Sequence, residues 1–194
     1  MRTRPICLVI LALLLLPACA SPDRRKIYFV RLGDVAETTA DDLIAHYKDK
    51  FAVTIDELPA ISLDATMLDR QRNQIVAESL IALIREKYPY LAADANAIII
   101  GLTREDIYIR QYDWKFAFNF RQDGRLAVIS MARMDPVNFG LHPDEQLLNT
   151  RLRKMVTKNI GVLYFQKPLN NNPRSVLYSN VMGLEELDAM SEEF

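Results

Sequence analysis

Two hydrophobic periods alternate along this chain, and each change of period marks an element. Ile27-Tyr28-Phe29-Val30-Arg31-Leu32 is rich in β-branched and aromatic residues and predicts a first strand, closed by Gly33-Asp34. Leu43, Ile44, Tyr47 and Phe51 then recur at helical spacing, predicting a helix capped by Thr39 or Asp41 and running to about Phe51. Ala52-Val53-Thr54-Ile55 predicts a second strand, with a loop around Pro59. A long helix is expected from near Asp64 to Tyr88, where Pro89 stops it. Its apolar stripe is Leu68, Ile75, Val76, Leu80, Leu83 and Ile84, and Arg70 to Asn73 with Glu78 form a solvated face. Ala97-Ile98-Ile99-Ile100 is nearly all apolar, as in a strand covered on both sides. This order implies an α/β domain with right-handed crossovers and a mixed, mainly parallel sheet.

The pattern changes after Gly101. Leu102 to Tyr108 predicts a turn and a short strand, and Trp114, Phe116, Phe118 and Phe120 alternate with Lys115, Ala117, Asn119 and Arg121 as in a half-buried strand. Asp123-Gly124 turns the chain into a partner strand over 125–131. Residues 134–141 read as a loop. His142-Pro143-Asp144-Glu145 opens another helix, with proline and acids at its positive end. Leu148, Leu152, Met155, Val156, Ile160 and Leu163 form its apolar stripe, and Thr157 and Gly161 share one face. A turn-rich stretch at Asn170-Asn171-Asn172-Pro173 leads to a short acidic helix from Gly183.

The first twenty residues have a different character. Arg2 and Arg4 precede an unbroken apolar run from Ile6 to Leu16, followed by small residues after Pro17. That is an export signal over 1–20, too short to span a bilayer. Ala18-Cys19-Ala20 suits an ordinary signal peptidase, whereas Leu16-Pro17-Ala18-Cys19 resembles a lipobox with Cys19 as the lipidated first residue. The expected location is the periplasm or, through Cys19, the outer membrane. A tether over 21–26 then leads into a single domain over 27–194. Without the signal the chain keeps 22 of its 24 basic residues against 25 acidic ones, a net charge near −3. Nucleic acid is thereby excluded as an electrostatic partner, and the aromatic strand reads as sheet packing. No cysteine follows Cys19, so the domain has neither disulfides nor thiolate metal sites.

Ile98-Ile99-Ile100-Gly101-Leu102-Thr103 followed by Asp106-Ile107-Tyr108, the Phe116-Ala117-Phe118 strand, Ala127-Val128-Ile129-Ser130 with Arg133, the Arg151/Lys154 helix start and Leu184-Glu185-Glu186-Leu187-Asp188 occur in an order that resembles the archaemetzincins. The resemblance covers roughly residues 27–194. It implies a zincin-type fold with two or three long helices, one of them the active-site helix of a zinc peptidase. In that family the helix carries H-E-x-x-H-x-x-G-x-x-H-C, with three zinc-binding histidines and a glutamate general base. Here Thr157, Gly161 and Lys167 fall on the histidine positions, Lys158 on the glutamate, Tyr164 on the bend glycine and Pro168 on the cysteine. None of these is a zinc ligand at neutral pH. The expectation is therefore no zinc and no other cofactor.

In zincins, substrate commonly pairs with an edge strand, so the resemblance implies a peptide-binding edge at Phe116, Ala117, Phe118, Asn119 and Phe120. Backbone pairing does not require the metal. The expected function is a non-catalytic pseudopeptidase that binds a peptide or envelope protein. Two alternatives stay open: a hydrolase with a rebuilt site, drawing on Lys158, Lys167, Tyr164 and Thr157 or on His142 with Asp144 and Glu145, and a purely structural envelope lipoprotein. His46, alone on its helix, reads as a surface or half-buried residue.

Overall fold

A computed structural model describes residues 25–194; the predicted export signal and Cys19 lie outside the described residues. β1 (Lys26–Leu32) alternates its side chains between two cores. Helix α1 (Glu37–Phe51) begins at Ala36, earlier than Thr39 or Asp41, and no side chain caps it. It ends at Ala52 in a left-handed conformation, so the second strand cannot start there. β2 (Ile55–Ile61) starts three residues later and includes Pro59, where its register against β1 shifts by one residue between the pairs Val30–Leu58 and Leu32–Ile61. The strand is an edge of the sheet, where a missing N–H leaves no ladder bond broken.

The long helix expected over 64–88 is only half helical. Asp69 Oδ1 accepts the N–H groups of Gln71 (3.0 Å) and Arg72 (3.3 Å), and Asn73 takes a positive φ. This local competition with the helix ladder closes a tight hairpin between β3 (Leu68–Asp69) and β4 (Gln74–Val76). Arg72 is correspondingly more than a solvated charge: it bonds the backbone carbonyls of Trp114 and Lys115 and lies 4.2 Å from the centroid of the Tyr108 ring. Helix α2 (Ala77–Lys87) supplies the remainder, and Pro89 opens α3 (Pro89–Ala93) as its first residue.

β5 (Ala97–Thr103) is buried along its whole length and lies at the centre of the sheet. A short β6 (Ile107–Tyr108) pairs with β4 in a small second sheet of order β3-β4-β6. β7 (Asn119–Gln122) and β8 (Leu126–Ser130) form a hairpin whose turn, Asp123-Gly124, has positive φ at both residues. The main sheet has the order β2-β1-β5-β8-β7, parallel except for β7, which is the second edge.

Helix α4 (Glu145–Leu163) and the short α5 (Leu184–Ala189) complete the chain. Ile98, Ile100, Ala127 and Ile129 point from the sheet toward Tyr47 of α1 and Leu152, Met155 and Ile160 of α4. Ile99, Leu126 and Val128 point the other way, toward Leu80, Ile81 and Ile84 of α2. The result is a three-layered α/β/α domain. Among the described residues no helix is long and apolar enough to cross a membrane.

Candidate functional site

Twelve of the nineteen residues of α4 are buried, so the helix is enclosed on more than the one stripe its periodicity suggests. Asp144 caps it by accepting the Leu147 N–H at 2.9 Å. The acid of the His142-Asp144-Glu145 trio is thus used as a helix cap, and all three residues are exposed. Arg151 grips Asp188 of α5 through two bonds of 2.8 and 2.7 Å, and Lys154 Nζ donates to the Asp188 carbonyl at 2.7 Å. These bonds tie the middle of α4 to α5.

The four motif positions, three on this helix and Lys167 beyond its end, do not share one environment. Thr157 is fully buried, with its hydroxyl 2.9 Å from that of Tyr47, which also donates to the Arg153 carbonyl at 2.7 Å. A Cβ on Gly161 would lie 2.5 Å from the Phe194 ring and 3.0 Å from Leu177, so that face is already occupied. Lys167 is exposed, with Nζ 5.0 Å from the centroid of the same Phe194 ring. Phe51 stacks at 5.0 Å on Phe194 and at 5.6 Å on Tyr47. Thr157, Gly161 and Lys167 therefore border an aromatic patch that ties α1 to the chain's last residue. Tyr164 keeps a helical conformation, and a left-handed Gln166 makes the turn, with the Lys167 N–H donating to the Gly161 carbonyl at 2.9 Å.

Lys158 has different neighbours. It lines a cleft of about 290 Å³ between α4, the strand segment ahead of and including β7, and the 179–182 segment. Phe116, Phe118, Val181 and Met182 form much of its wall, and Tyr112 and Trp114 stack on one another at 4.5 Å at its exposed end. The predicted strand over 114–120 is shorter than expected. Pairing in β7 begins only at Asn119, because the Ala117 N–H donates to Ile107 of the small sheet (2.8 Å) while the Phe118 carbonyl serves Ser130 (2.9 Å). Of the five candidate residues, Asn119 and Phe120 are in the edge strand, and Phe116, Ala117 and Phe118 form the cleft wall leading into it.

The floor of the cleft is positive. Lys158 is 3% exposed and donates to the Tyr178 carbonyl. Burial, with help from Arg121, pushes its amine down to about 8. Arg121 is lowered by burial as well and donates to Asn159 Oδ1 at 3.3 Å. Arg121 was hidden in the sequence: it occupies a polar position of the alternating strand and reads as solvent-facing, whereas α4 covers it. His46 is a half-buried neighbour of Glu192 (3.3 Å), held below its ordinary value chiefly by burial.

The chain shares sequence with the archaemetzincin of Pyrococcus horikoshii, 28% identical over 119 residues, which is 59% of this chain and 60% of that protein. Its fold superposes on archaemetzincin from Archaeoglobus fulgidus, solved with malonate, at a TM-score of 0.67 and 22% identity, covering 87% of this chain and 94% of that one. The chain is archaemetzincin-like. A zinc-dependent peptidase from Methanocorpusculum labreanum has the same fold, with a TM-score of 0.69 at 18% identity over 87% of this chain and 95% of that one. No family model matches the sequence.

Zinc is the metal this fold leads one to test for. Protein zinc sites are made of Cys, His, Asp and Glu. None of these lines the cleft of this archaemetzincin-like domain, which presents Lys158 and Arg121 instead. Among the described residues no group of three such side chains is arranged to hold a metal. The donor set does not fit the ion.

Proposed function

We propose that this archaemetzincin-like chain is a pseudopeptidase: an exported, non-catalytic protein that binds an extended peptide or protein segment in the cell envelope. The observation that carries the reading is the cleft beside α4. It has apolar walls and the open edge of β7, its floor carries two cations, and none of its lining residues is a Cys, His, Asp or Glu that could hold a metal. An edge strand offers unpaired backbone groups to a visiting strand, and this recognition works without a metal. The envelope assignment comes from the export signal over 1–20, and Cys19 would supply a lipid anchor.

The test is elemental analysis of protein purified in the presence of zinc, with a peptide-binding titration alongside. Less than about 0.1 equivalent of retained zinc, together with saturable peptide binding, is the expected result, since a structural or catalytic zinc site would retain its metal. A tightly held full equivalent would overturn the proposal. Lys158 itself favours a second reading, a hydrolase using its lowered amine as a base. Its hydrogen-bond partner is the Tyr178 carbonyl, and the hydroxyl of Ser179, which lines the same cleft, is bonded to Asn171 Oδ1 at 3.2 Å. Peptidase activity that survives chelator and vanishes in Lys158→Ala would decide for that reading.

A further inference from the structure

We propose that the cleft takes the C-terminal carboxylate of its peptide, seated against Lys158 and Arg121. This inference rests on the peptide-binding reading above and adds the chemistry of the ligand's end. Elsewhere in the domain several half-buried arginines have acids: Arg151 pairs with Asp188, Arg133 with Asp106, Arg153 with Glu192 and Arg31 with Glu57. Lys154 and Arg125 donate to backbone carbonyls, two each, and lie outside the cleft, whereas Lys158 and Arg121 line it together. Among the described residues Lys158 reaches the Tyr178 carbonyl, Arg121 reaches the Asn159 amide oxygen, and neither has a carboxylate at ion-pair distance.

Two desolvated cations facing the same cleft repel one another and forgo the hydration each would have in water. A carboxylate arriving beside them would relieve both penalties and gain charge-assisted hydrogen bonds. A third donor belongs to a lining residue of the cleft: Asn119 Nδ2 is buried and has no acceptor among the described residues. Three donors with no internal anion describe an acceptor-binding floor.

The walls indicate what the anion is attached to. Phe116, Phe118, Val181 and Met182 suit an apolar side chain, which free phosphate lacks. The edge of β7 suits an extended backbone, and the last residue of such a chain brings a carboxylate and an apolar side chain into the same cleft. A peptide terminus satisfies floor, wall and edge together.

The chain's single tryptophan, Trp114, lies on the cleft and reports binding by fluorescence. Purified protein is titrated with acetyl-Val-Thr-Val-Thr-Val-Phe carrying a free carboxylate, with the same peptide as its C-terminal amide, with an amidated peptide ending in Glu, and with inorganic phosphate. The free acid is expected to bind at least about tenfold tighter than the amide, as a charge-assisted contact implies. That advantage should fall to about twofold or less in Lys158→Met and in Arg121→Gln, each checked for folding by its thermal melt. Equal affinity of acid and amide overturns the carboxylate inference and leaves the peptide-binding reading standing. No binding of either peptide overturns both. A Glu-ending amide as tight as the acid overturns the assignment to the chain terminus, and phosphate competing at the peptide's own concentration overturns the peptide as the source of the anion.

Discussion

Around Thr157 and Gly161, on its α1 side, α4 is closed. Thr157 meets the Tyr47 hydroxyl, and Gly161 is filled by Phe194 and Leu177. On its β7 side the same helix borders open space, and its one charged group there, Lys158, lacks an acid among the described residues. The helix positions are neighbours in sequence, so helical propensity cannot separate them. The difference comes from what is packed opposite: a helix and tail on one side, an edge strand and loop on the other. Packing consolidates the first face, and the second retains the properties of a binding site.

Mutations can break this contrast in order of size. Ile160→Ala, on the closed side and fully buried, should cost about 3 kcal/mol in urea denaturation, the cavity penalty of a buried aliphatic residue, while folded protein binds peptide as before. Equal loss of affinity would show that the two faces are not separable. Tyr47→Phe removes the hydroxyl shared by Thr157 and the Arg153 carbonyl and should cost about 1–2 kcal/mol, again without touching the cleft. Lys158→Met should raise stability at pH 7, by about 1 kcal/mol, because an apolar chain of similar length replaces a buried cation without an acid partner.

The pH profile sharpens the last case. The Lys158 amine titrates near 8 in the folded protein, against 10.5 ordinarily. Between these values the unfolded chain binds the extra proton, so stability gained through this residue rises with pH from about 8 toward 10.5. Below 8 the folded state carries the full cost of the buried charge. Arg121 reinforces the effect from β7. Urea midpoints from pH 7 to 10 should converge on those of Lys158→Met from below if the substitution is stabilising. A flat difference would place the amine in solvent.

Where local signals agreed with the fold, the chain could be read directly. The apolar run at Ala97 defined the central strand, Asp123-Gly124 marked the hairpin, and the spacing from Leu148 to Leu163 located α4. Residues 64–76 misled because Leu68, Ile75 and Val76 also fit a helical stripe, while the Asp69 side chain and the left-handed Asn73 favour a hairpin. Pro59 suggested a loop because sequence does not show that a strand will be an edge. The site was half legible: Lys158 could be named from the resemblance, but the separation of Lys158 from Thr157 and Gly161 depends on tertiary packing. Arg121 became relevant only once α4 was known to lie over β7.

The two ends of the main sheet also differ in what they offer a visiting strand. At β2 the exposed Pro59 interrupts the donor row, and Asp56 and Glu57 are tied to Lys26 and Arg31 of the neighbouring strand. At β7 the strand Asn119–Gln122 contains no proline. The main sheet therefore has one border interrupted by proline and one that is not, and the proposed peptide would occupy one strand per molecule. Growth from sheet to sheet, which would require both borders, is blocked at Pro59. Saturation at one-to-one stoichiometry, without higher assemblies at high protein concentration, follows from that asymmetry.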